Sequence, residues 1–384
     1  MIIPKALTVY DIEALLPEAI IDESLRLPLG SSYGGAFGVD TALTQLVITW
    51  AKYANSKTLH LYCNEEKWAP HVANLARTSA GLAALVMCSR IDTEKHIDVE
   101  KSDALSKLLP MIQAMYDGLL KNTSNSRGAR PSAINLFSIN HARREYIKPF
   151  YSMTPSPKVQ PSSAFAEIIN KASDLMHSKA HKQSLINSGL SELGDVVFEL
   201  FSNADQHAAY DLHGEKYKKG LRGISIKSNK VKRSDLSDYA GEEPAFLRFI
   251  LKNMTQGDTL ELLEISVIDS GPGMAKKWLS YKEKRIIDDL SEVTIEKELS
   301  ATIECFDKHI TTKESDTSGM GLHRATQALN KLKAFVRLRT GRLCLYQTFN
   351  GKNDLVKFSP KPWSGDGVLS AVEGTAFTIC IPVN

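Results

Sequence analysis

A short stretch near the middle of the chain, "FELFSNADQH" at residues 198–207, carries side chains that can do chemistry. A carboxylate at Glu199, an amide at Asn203 and an imidazole at His207 follow one another at four-residue spacing, which puts them along one stripe of a helix. Carboxylates and imidazoles transfer protons, and carboxylate and amide oxygens are ligands that Mg²⁺ prefers. Alone, the stretch also fits a solvated helix face, because polar stripes are the rule on amphipathic helices.

A second group of residues with chemical potential lies in "ISVIDSGPGM". Asp269 ends an apolar strand, and Gly271 and Gly273 let the backbone turn sharply and approach a flat ligand. Taken alone, this pattern is an ordinary strand-to-turn signal. It gains a functional meaning only together with two segments closer to the C-terminus.

The first of these two segments, "HITTKESDTSGMGLHRATQALNKL", places Gly319 and Gly321 just ahead of a helix, with Lys313 and several hydroxyl residues nearby. Glycine amides at a helix N-terminus, backed by a lysine and hydroxyls, are the ingredients of a phosphate cradle, although an N-capped helix after a loop fits too. The second, "EGTAFTICIPVN", places Thr375 at the start of an apolar strand.

The elements that must position these residues begin at Ala164. The periodicity predicts long helices at "AFAEIINKASDLMHSKAHKQ" and "SGLSELGDVVFELFSNADQHAAY", and a helix at about residues 322–333. Strands are predicted at "LRGISIKS", "AFLRFILKN", "LELLEISVID", "AFVRLRT", "LCLYQTF" and "TAFTICIP". Helices packed on one face of a mixed sheet are the economical architecture for this pattern.

The chain as a whole predicts two domains. "MTPSPKVQPSS" carries three prolines among serines, so residues 151–163 are predicted to be a linker between domains 1–150 and 164–384. Residues 1–150 mix short apolar stretches ("LTQLVITWAKY", "TLHLYC", "LAALVMC") with helical periodicity, which predicts a smaller α/β domain, compatible with a STAS-like fold. Its glycine-rich "LGSSYGGAFGVD" lacks the lysine and spacing of a phosphate loop, so a plain loop is expected.

Composition places the chain among soluble globular proteins. It has 384 residues, 43% of them hydrophobic and 24% charged, and no apolar run approaches a membrane span. Five scattered cysteines and an N-terminus without a secretory layout favour a reducing, cytoplasmic location. The net charge of only +3 does not by itself imply a nucleic-acid partner. The basic run that could contact phosphates is more typical of a solvated loop and strand edge, and it comprises Lys216, Lys218, Lys219, Arg222, Lys227, Lys230, Lys232 and Arg233.

The four motif segments, in this order, resemble the GHKL (Bergerat-fold) group of ATP-binding proteins, which includes DNA gyrase, heat-shock chaperones, histidine kinases and mismatch-repair ATPases. The resemblance covers roughly residues 164–384 and rests on the ordered set ExxxN, DxGxG, TTK with GxGL, and GTxFxIxIP. It implies an α/β fold in which a two-layer sandwich holds ATP beneath a long lid at about residues 274–318.

The same resemblance implies a role for each motif residue. Asn203 would hold Mg²⁺ on the triphosphate, Asp269 would accept a hydrogen bond from the adenine amino group, and Glu199 would be the general base. The remaining nucleotide contacts would come from Gly271, Gly273, Lys313, Gly319, Gly321, Leu322 and Thr375. His207 could help to orient the triphosphate, and a helix-end histidine satisfied by solvent fits equally well. The second glycine box departs from the common GxGxGL form, because Thr317 stands at its first position.

The expected function is a cytoplasmic Mg-ATP-binding protein that hydrolyses ATP slowly or acts as a nucleotide-driven switch. It would signal to its N-terminal domain, a partner protein or a second copy of itself. Because "ELFSNADQHA" also resembles the corresponding box of anti-sigma-factor serine kinases, a protein serine or histidine kinase remains the alternative, and a binding module that never turns ATP over is a third. The candidate phosphoacceptors His141, His177 and His181 lack the acid and proline that commonly follow such a histidine, so solvated histidines are expected there.

Overall fold

Helices and strands are interspersed along the described parts of the chain. The computed structural model describes residues 1–29, 32–33, 37–120, 133–176, 179–236, 243–254, 257–307, 321–352, 356–363 and 368–383, of which 32–33 and 179–188 are described by backbone alone. The helices are α1 (Val9–Ile21), α2 (Val39–Tyr53), α3 (Trp68–Leu75), α4 (Ser79–Met87), α5 (Lys101–Ser106), α6 (Leu109–Tyr116), α7 (Ser162–Met176), α8 (Lys179–His207), α9 (Pro244–Asn253), α10 (Met274–Glu283), α11 (Ile295–Glu304) and α12 (Gly321–Lys331). Within these described ranges, no helix is both long enough and apolar enough to cross a bilayer.

Strands form one large sheet and several small ones. They are β1 (Ala6–Leu7), β2 (Ser24–Leu25), β3 (Ser32–Tyr33), β4 (Thr58–His60), β5 (Arg90–Asp92), β6 (Asp98–Val99), β7 (Ala133–Ile139), β8 (Tyr151–Ser152), β9 (Lys158–Val159), β10 (Leu221–Lys232), β11 (Thr259–Asp269), β12 (Phe335–Gly341), β13 (Leu343–Thr348), β14 (Lys361–Pro362) and β15 (Val372–Pro382). The large sheet has seven antiparallel strands in the order β14-β13-β12-β15-β11-β10-β7.

The register of the large sheet defines two faces. Ile224, Val267 and Phe377 are direct partners across β10, β11 and β15, so their side chains lie on one face, which we call the α8 face. Ser266 and Thr378 are partners one residue away and lie on the opposite face, which we call the α2 face. Helices cover both faces of the sheet, because α7, α8 and α12 pack on the first and α2, α4 and α9 on the second.

Helix α2 has a sequence that is unusual for a helix, because it is rich in β-branched residues. Its β-branched residues have modest helix propensity, yet every residue from Thr41 to Ala51 is buried, so tertiary packing outweighs propensity here. Asp40 in the first turn and Lys52 in the last turn also suit the helix dipole. A stripe of polar residues at four-residue spacing faces the sheet, where Thr41 donates its hydroxyl to Oγ of Ser266 at 2.7 Å.

The N-terminal region has a small sheet of its own, in the order β2-β4-β5-β6. The pairs β2–β4 and β4–β5 are parallel, and β6 is antiparallel to β5. Of the three short apolar stretches of this region, "TLHLYC" contains strand β4, and the other two lie in α2 and α4. Helices and strands in this region, as in the rest of the chain, belong to the α/β class.

The large sheet crosses the boundary predicted at residues 151–163. Strand β7, from the predicted N-terminal domain, pairs with β10 along its whole length, and α2 packs on β15. Residues of both halves, such as Leu46 and Phe377, belong to one hydrophobic core. The proline-rich segment itself contains the short antiparallel pair β8–β9 and leads directly into α7.

One predicted strand is wrong. "AFLRFILKN" is helix α9, in which Phe246, Phe249 and Ile250 lie on one buried side. The helix begins with Pro244 in its first turn, and the Glu243 carboxylate accepts a hydrogen bond from the N–H of Ala245. That start signal and the three-to-four-residue apolar spacing identify a helix, and the high β propensity of the aromatic residues hid both. The other five predicted strands and the predicted helix near residues 322–333 are confirmed as β10, β11, β12, β13, β15 and α12.

Candidate functional site

The end of strand β11 holds a buried carboxylate in a fixed orientation. Oδ1 of Asp269 accepts hydrogen bonds from the N–H of Gly271 at 2.9 Å and from the N–H of Thr375 at 3.2 Å. Burial raises the pKa of Asp269 to about 6, although those two N–H groups act to lower it. At neutral pH the group is therefore mostly an anion, aimed by two backbone donors.

Glycines surround this carboxylate because side chains would not fit. A Cβ on Gly271 would lie 2.5 Å from Cα of Ala208, just past the end of α8. Gly374 has a φ of +77° and donates its N–H to the carbonyl of Gly271 at 2.8 Å, and a Cβ on Gly374 would lie 2.0 Å from the carbonyl oxygen of Asp269. Gly273 has a φ of +86°, which L residues rarely adopt. Limited space therefore favours glycine at 271, the backbone conformation favours it at 273, and both reasons apply to Gly374.

Helix α8 carries the polar stripe of the opening motif. Leu193, Val197 and Phe201 are fully buried, as the apolar spacing predicts. The neighbouring stripe lies at the edge of this packing, where Glu199 has a side chain only 15% exposed and Asn203 is half-buried. The stripe is thus not a fully solvated helix face.

Glu199, Asn203 and the start of α12 meet at one point. A Cβ on Gly321 would lie 2.5 Å from Oε2 of Glu199 and 3.8 Å from Nδ2 of Asn203, so the start of α12 lies directly against both side chains. The Asn203 amide group donates to the carbonyl of Glu199 at 2.8 Å. Burial raises the pKa of Glu199, while Arg324, 4.0 Å away, lowers it and Asp195 raises it. A carboxylate of raised pKa beside a helix N-terminus is suited to taking up a proton.

The two groups of residues lie along the same helix on the α8 face. Asn203 lies on α8 five residues before Ala208, which follows the end of the helix and lies against Gly271, a separation of about 7.5 Å at the rise of a helix. Arg222 fixes this end of α8, because its guanidinium donates to Asp205 at 2.7 Å and also to Glu145 at 3.3 Å. The sequence motif around α8 did not reveal Arg222, which looked like one cation in a basic run.

The remaining motif residues have different outcomes. His207 is the last residue of α8 and is half-buried, and Leu322 packs against the main core from the first turn of α12. Lys313 and Gly319 lie outside the described residues, as do His177 and the side chain of His181. In the glycine-rich segment before α2, the N–H of Gly38 donates to Oε1 of the buried Glu264, which is a structural contact.

Helix α2 supports the site from behind the sheet, which the sequence analysis missed. Nε2 of Gln45 donates to the carbonyl of Arg339 at 3.0 Å and to that of Gly374 at 3.4 Å. Oγ1 of Thr49 accepts a hydrogen bond from the N–H of Glu373 at 3.1 Å. The backbone that aims Asp269 is therefore held from residues more than 300 positions earlier, and the buried polar stripe of α2 was the available signal.

A cluster of ionisable groups borders this support. Lys276, on α10, donates to Oε1 of Glu373 at 2.9 Å, and both residues are buried. Lys52, at the end of α2, lies with Nζ 3.1 Å from the ring centroid of Tyr217, and burial lowers its pKa to about 8. The negative charges of Glu373 and Asp269 act to raise that pKa. Lys52 is therefore a cation held close to the buried carboxylate of the site.

The described part of the predicted lid is packed. Helices α10 and α11 enclose a small core formed by Ala275, Leu279, Ile287, Val293 and Ala301. Arg342, in the turn between β12 and β13, donates to Oε2 of the fully buried Glu298 on α11 at 2.7 Å. The N–H of Met274 donates to Oγ1 of Thr340 at 3.1 Å. These contacts fasten residues 274–307 to the end of the large sheet.

Comparison with known proteins adds no assignment: no protein-family model matches the chain, and no curated relative is found.

Proposed function

We propose that this chain binds ATP with Mg²⁺ along α8 and the end of β11, as a protein of the GHKL type. It would use the nucleotide for slow hydrolysis or as a switch that signals to its own N-terminal region, a partner protein or a second copy. The observation that carries the proposal is the buried Asp269 carboxylate, aimed by Gly271 and Thr375 and enclosed by glycines. An ionised carboxylate held in this way accepts a hydrogen bond from an exocyclic amino group, such as that of adenine.

The residues on α8 fit a metal-bound triphosphate. Because Nδ2 of Asn203 donates to Glu199, the amide oxygen is the atom left to bind a cation, and it accepts no hydrogen bond from the described residues. Mg²⁺ typically takes one or two protein oxygens and completes its coordination with phosphate and water. When bound, Mg-ATP would supply a phosphoanhydride whose charge the metal partly neutralises. The N-terminus of α12 at Gly321 offers backbone N–H groups to phosphate oxygens.

Glu199 is the general base in this proposal. Its raised pKa and its position against Gly321 suit it to remove a proton from a water or from a protein hydroxyl near the terminal phosphate. The same chemistry serves an ATPase and a serine kinase. Glu199 alone therefore does not separate these two activities.

The contacts of α2 favour a switch. Gln45 and Thr49 bind the same short backbone segment that presents Thr375 to Asp269. A ligand that moves this segment would change the hydrogen bonds of a helix buried in the core of the N-terminal region. The resulting coupling needs no hinge, since the two regions share one sheet and one core.

The proposal is tested with γ-labelled ATP and the full chain. Binding is measured by the rise in melting temperature with Mg-ATP, because a ligand that binds only the folded state stabilises it. The label then separates the outcomes: release as free phosphate identifies an ATPase, transfer to protein a kinase, and retention in ATP a switch without turnover. Absence of any thermal shift at millimolar Mg-ATP would contradict all three.

The basic run does not favour nucleic acid as a second candidate. Lys216 pairs with Glu145 at 2.8 Å, and Lys227 pairs with Asp40 at 2.7 Å. Arg222 is buried in the network that holds α8. These three of the eight cations in the run are already paired within the chain, which lowers the net charge that the run offers to phosphates.

A further inference from the structure

The small N-terminal sheet ends in a group of metal-binding side chains. Strands β2, β4 and β5 are parallel neighbours, and Arg26, His60 and Asp92 stand at their carboxyl ends. His60 and Asp92 are direct partners in the register, so their side chains lie on the same face. The carboxyl ends of parallel strands are where α/β sheets bind their ligands.

A tight turn brings a third side chain to the pair. Thr93 and Ile97 close the turn through an N–H to carbonyl bond of 3.0 Å, and His96 within it has a φ of +59°, a conformation rare for a residue other than glycine. This backbone places Nδ1 of His96 3.2 Å from Oδ2 of Asp92. Nδ1 of His60 lies 2.5 Å from the other oxygen of the same carboxylate. Both imidazoles therefore direct their Nδ1 atom toward the Asp92 carboxylate.

We propose that His60, Asp92 and His96 form a binding site for a divalent transition metal of the zinc class. One ligand atom from each residue lies within 4.8 Å of the others, and the two imidazole rings are 4.6 Å apart. Two histidines and a carboxylate are a common donor set for Zn²⁺ and Co²⁺, with water or an incoming group completing the coordination. The site is independent of the proposed nucleotide site, whose metal is Mg²⁺ held by oxygen.

The three proposed ligands differ in burial in the way that an open metal site requires. The side chains of His60 and Asp92 are 3% and 10% exposed, whereas that of His96 is 75% exposed. Two ligands are therefore held rigidly by the sheet, and the third lies at the surface, where a metal and a fourth ligand can enter.

Arg26 determines which ring nitrogen of His60 carries the proton before a metal binds. Its guanidinium contacts Nε2 of His60, and because arginine only donates hydrogen bonds, the imidazole proton is on Nδ1, facing Asp92. A metal at Nδ1 displaces that proton to Nε2, so Arg26 must withdraw. Its guanidinium carbon lies 5.4 Å from the ring centroid of Tyr62 while it contacts His60. Arg26 is thus a competitor of the metal.

The test uses the full chain without nucleotide, treated with chelator and titrated with Co²⁺, whose visible absorption reports coordination. We expect one equivalent to bind with a tetrahedral-type spectrum. His96→Asn should weaken Co²⁺ binding at least tenfold, and it should keep the turn because asparagine tolerates the left-handed conformation. The control variant His213→Asn, at an exposed histidine elsewhere, should leave Co²⁺ binding unchanged. Arg26→Gln should strengthen binding, because the glutamine amide oxygen can accept a hydrogen bond from the Nε2–H of metal-bound His60. An absent spectrum, unchanged affinity in His96→Asn, or weaker binding in Arg26→Gln would overturn the proposal.

Discussion

Asp269 illustrates a conflict between stability and function within one side chain. The carboxylate is buried, and burial raises its pKa from 3.8 to about 6. A buried carboxylate that ionises at neutral pH costs the fold free energy, since the charged form is poorly solvated. Such a group is useful where a ligand supplies the missing partner.

The first prediction concerns the pH dependence of stability. Because the pKa of Asp269 is higher in the folded chain, its contribution is fully present below about pH 4 and is lost as pH rises through 6. Asp269→Asn keeps an acceptor for the two N–H groups but cannot ionise. Its free energy of unfolding should therefore fall less than that of the wild type between pH 4 and 7, by on the order of 2 kcal/mol. Denaturant titrations across this range measure the difference, and parallel curves would contradict the assigned environment.

The second prediction separates chemistry from metal binding on α8. Glu199→Gln should leave Mg-ATP affinity within a few-fold of the wild type and lower turnover or phosphotransfer by about a hundredfold or more, because it removes a positioned base. Asn203→Ala removes a metal ligand, so affinity itself should fall when Mg²⁺ is present. Affinity and product formation are measured for both variants side by side.

Glu192→Gln is the matched control for these variants. Glu192 lies two turns earlier on the same helix, and its nearest cation is Lys331 at 3.9 Å. It should behave like the wild type in both assays. Wild-type turnover in Glu199→Gln would contradict a role of Glu199 as the base and would leave the polar stripe on α8 with a structural role only.

At the scale of elements, helix α2 is the part of the structure least expected from its place in the chain. It buries hydroxyl and amide groups that hydrogen-bond a sheet formed mostly by residues beyond 220. Thr44 and Thr49 are both fully buried, and each donates its hydroxyl to the carbonyl four residues earlier in α2. Of the two, Thr49 also accepts a hydrogen bond from the sheet, from the N–H of Glu373. The pair therefore separates the effect of burial from the effect of the contact.

The third prediction uses this pair. Thr49→Val leaves the N–H of Glu373 without its acceptor and should lower the free energy of unfolding by about 1–3 kcal/mol, whereas Thr44→Val should cost less than about 1 kcal/mol. Mg-ATP affinity should fall only in Thr49→Val, because the disturbed segment also presents Thr375 to Asp269. Equal effects of the two variants would mean that α2 is only a packing element.

The elements differ in how far the sequence predicts them. Strands β11 and β15 and helix α8 have strong apolar periodicity, so these elements were predictable from the sequence. Helix α9 was not, because its aromatic residues favour strands while its fold is decided by packing on Phe335 of the α2 face. Gln45, Thr49 and Arg222 were missed because their roles depend on contacts distant in the chain, which local spacing does not encode.

For the whole molecule, the large sheet determines whether the two halves of the chain can fold independently. The linker composition of residues 151–163 predicts independent halves, but β7 lies at the edge of the large sheet and α2 covers its centre. A fragment of residues 164–384 would expose the N–H and carbonyl groups of β10 and the polar and apolar side chains that α2 covers. Within the fragment, no other element replaces the hydrogen bonds of β7 or the packing of α2.

The fourth prediction concerns this shared sheet. The fragment 164–384 should be poorly soluble or should lack a cooperative thermal transition, and the full chain should unfold in a single transition. Circular dichroism and calorimetry on both proteins measure this. A soluble, cooperatively folding fragment would show that the predicted boundary separates true folding units despite the shared sheet.

Whether Asp269 recognises adenine is tested by the equilibrium binding of nucleotides to the full chain and to Asp269→Asn, measured by titration calorimetry with Mg²⁺ at neutral pH. We expect the wild type to bind ATP and to discriminate against GTP, whose base presents a carbonyl oxygen where adenine has its amino group. We expect Asp269→Asn, although folded, to lose at least tenfold in ATP affinity, because an amide can present a donor where an acceptor is required. Undiminished ATP binding in a folded Asp269→Asn, or no ATP binding by the wild type, would contradict this role of Asp269.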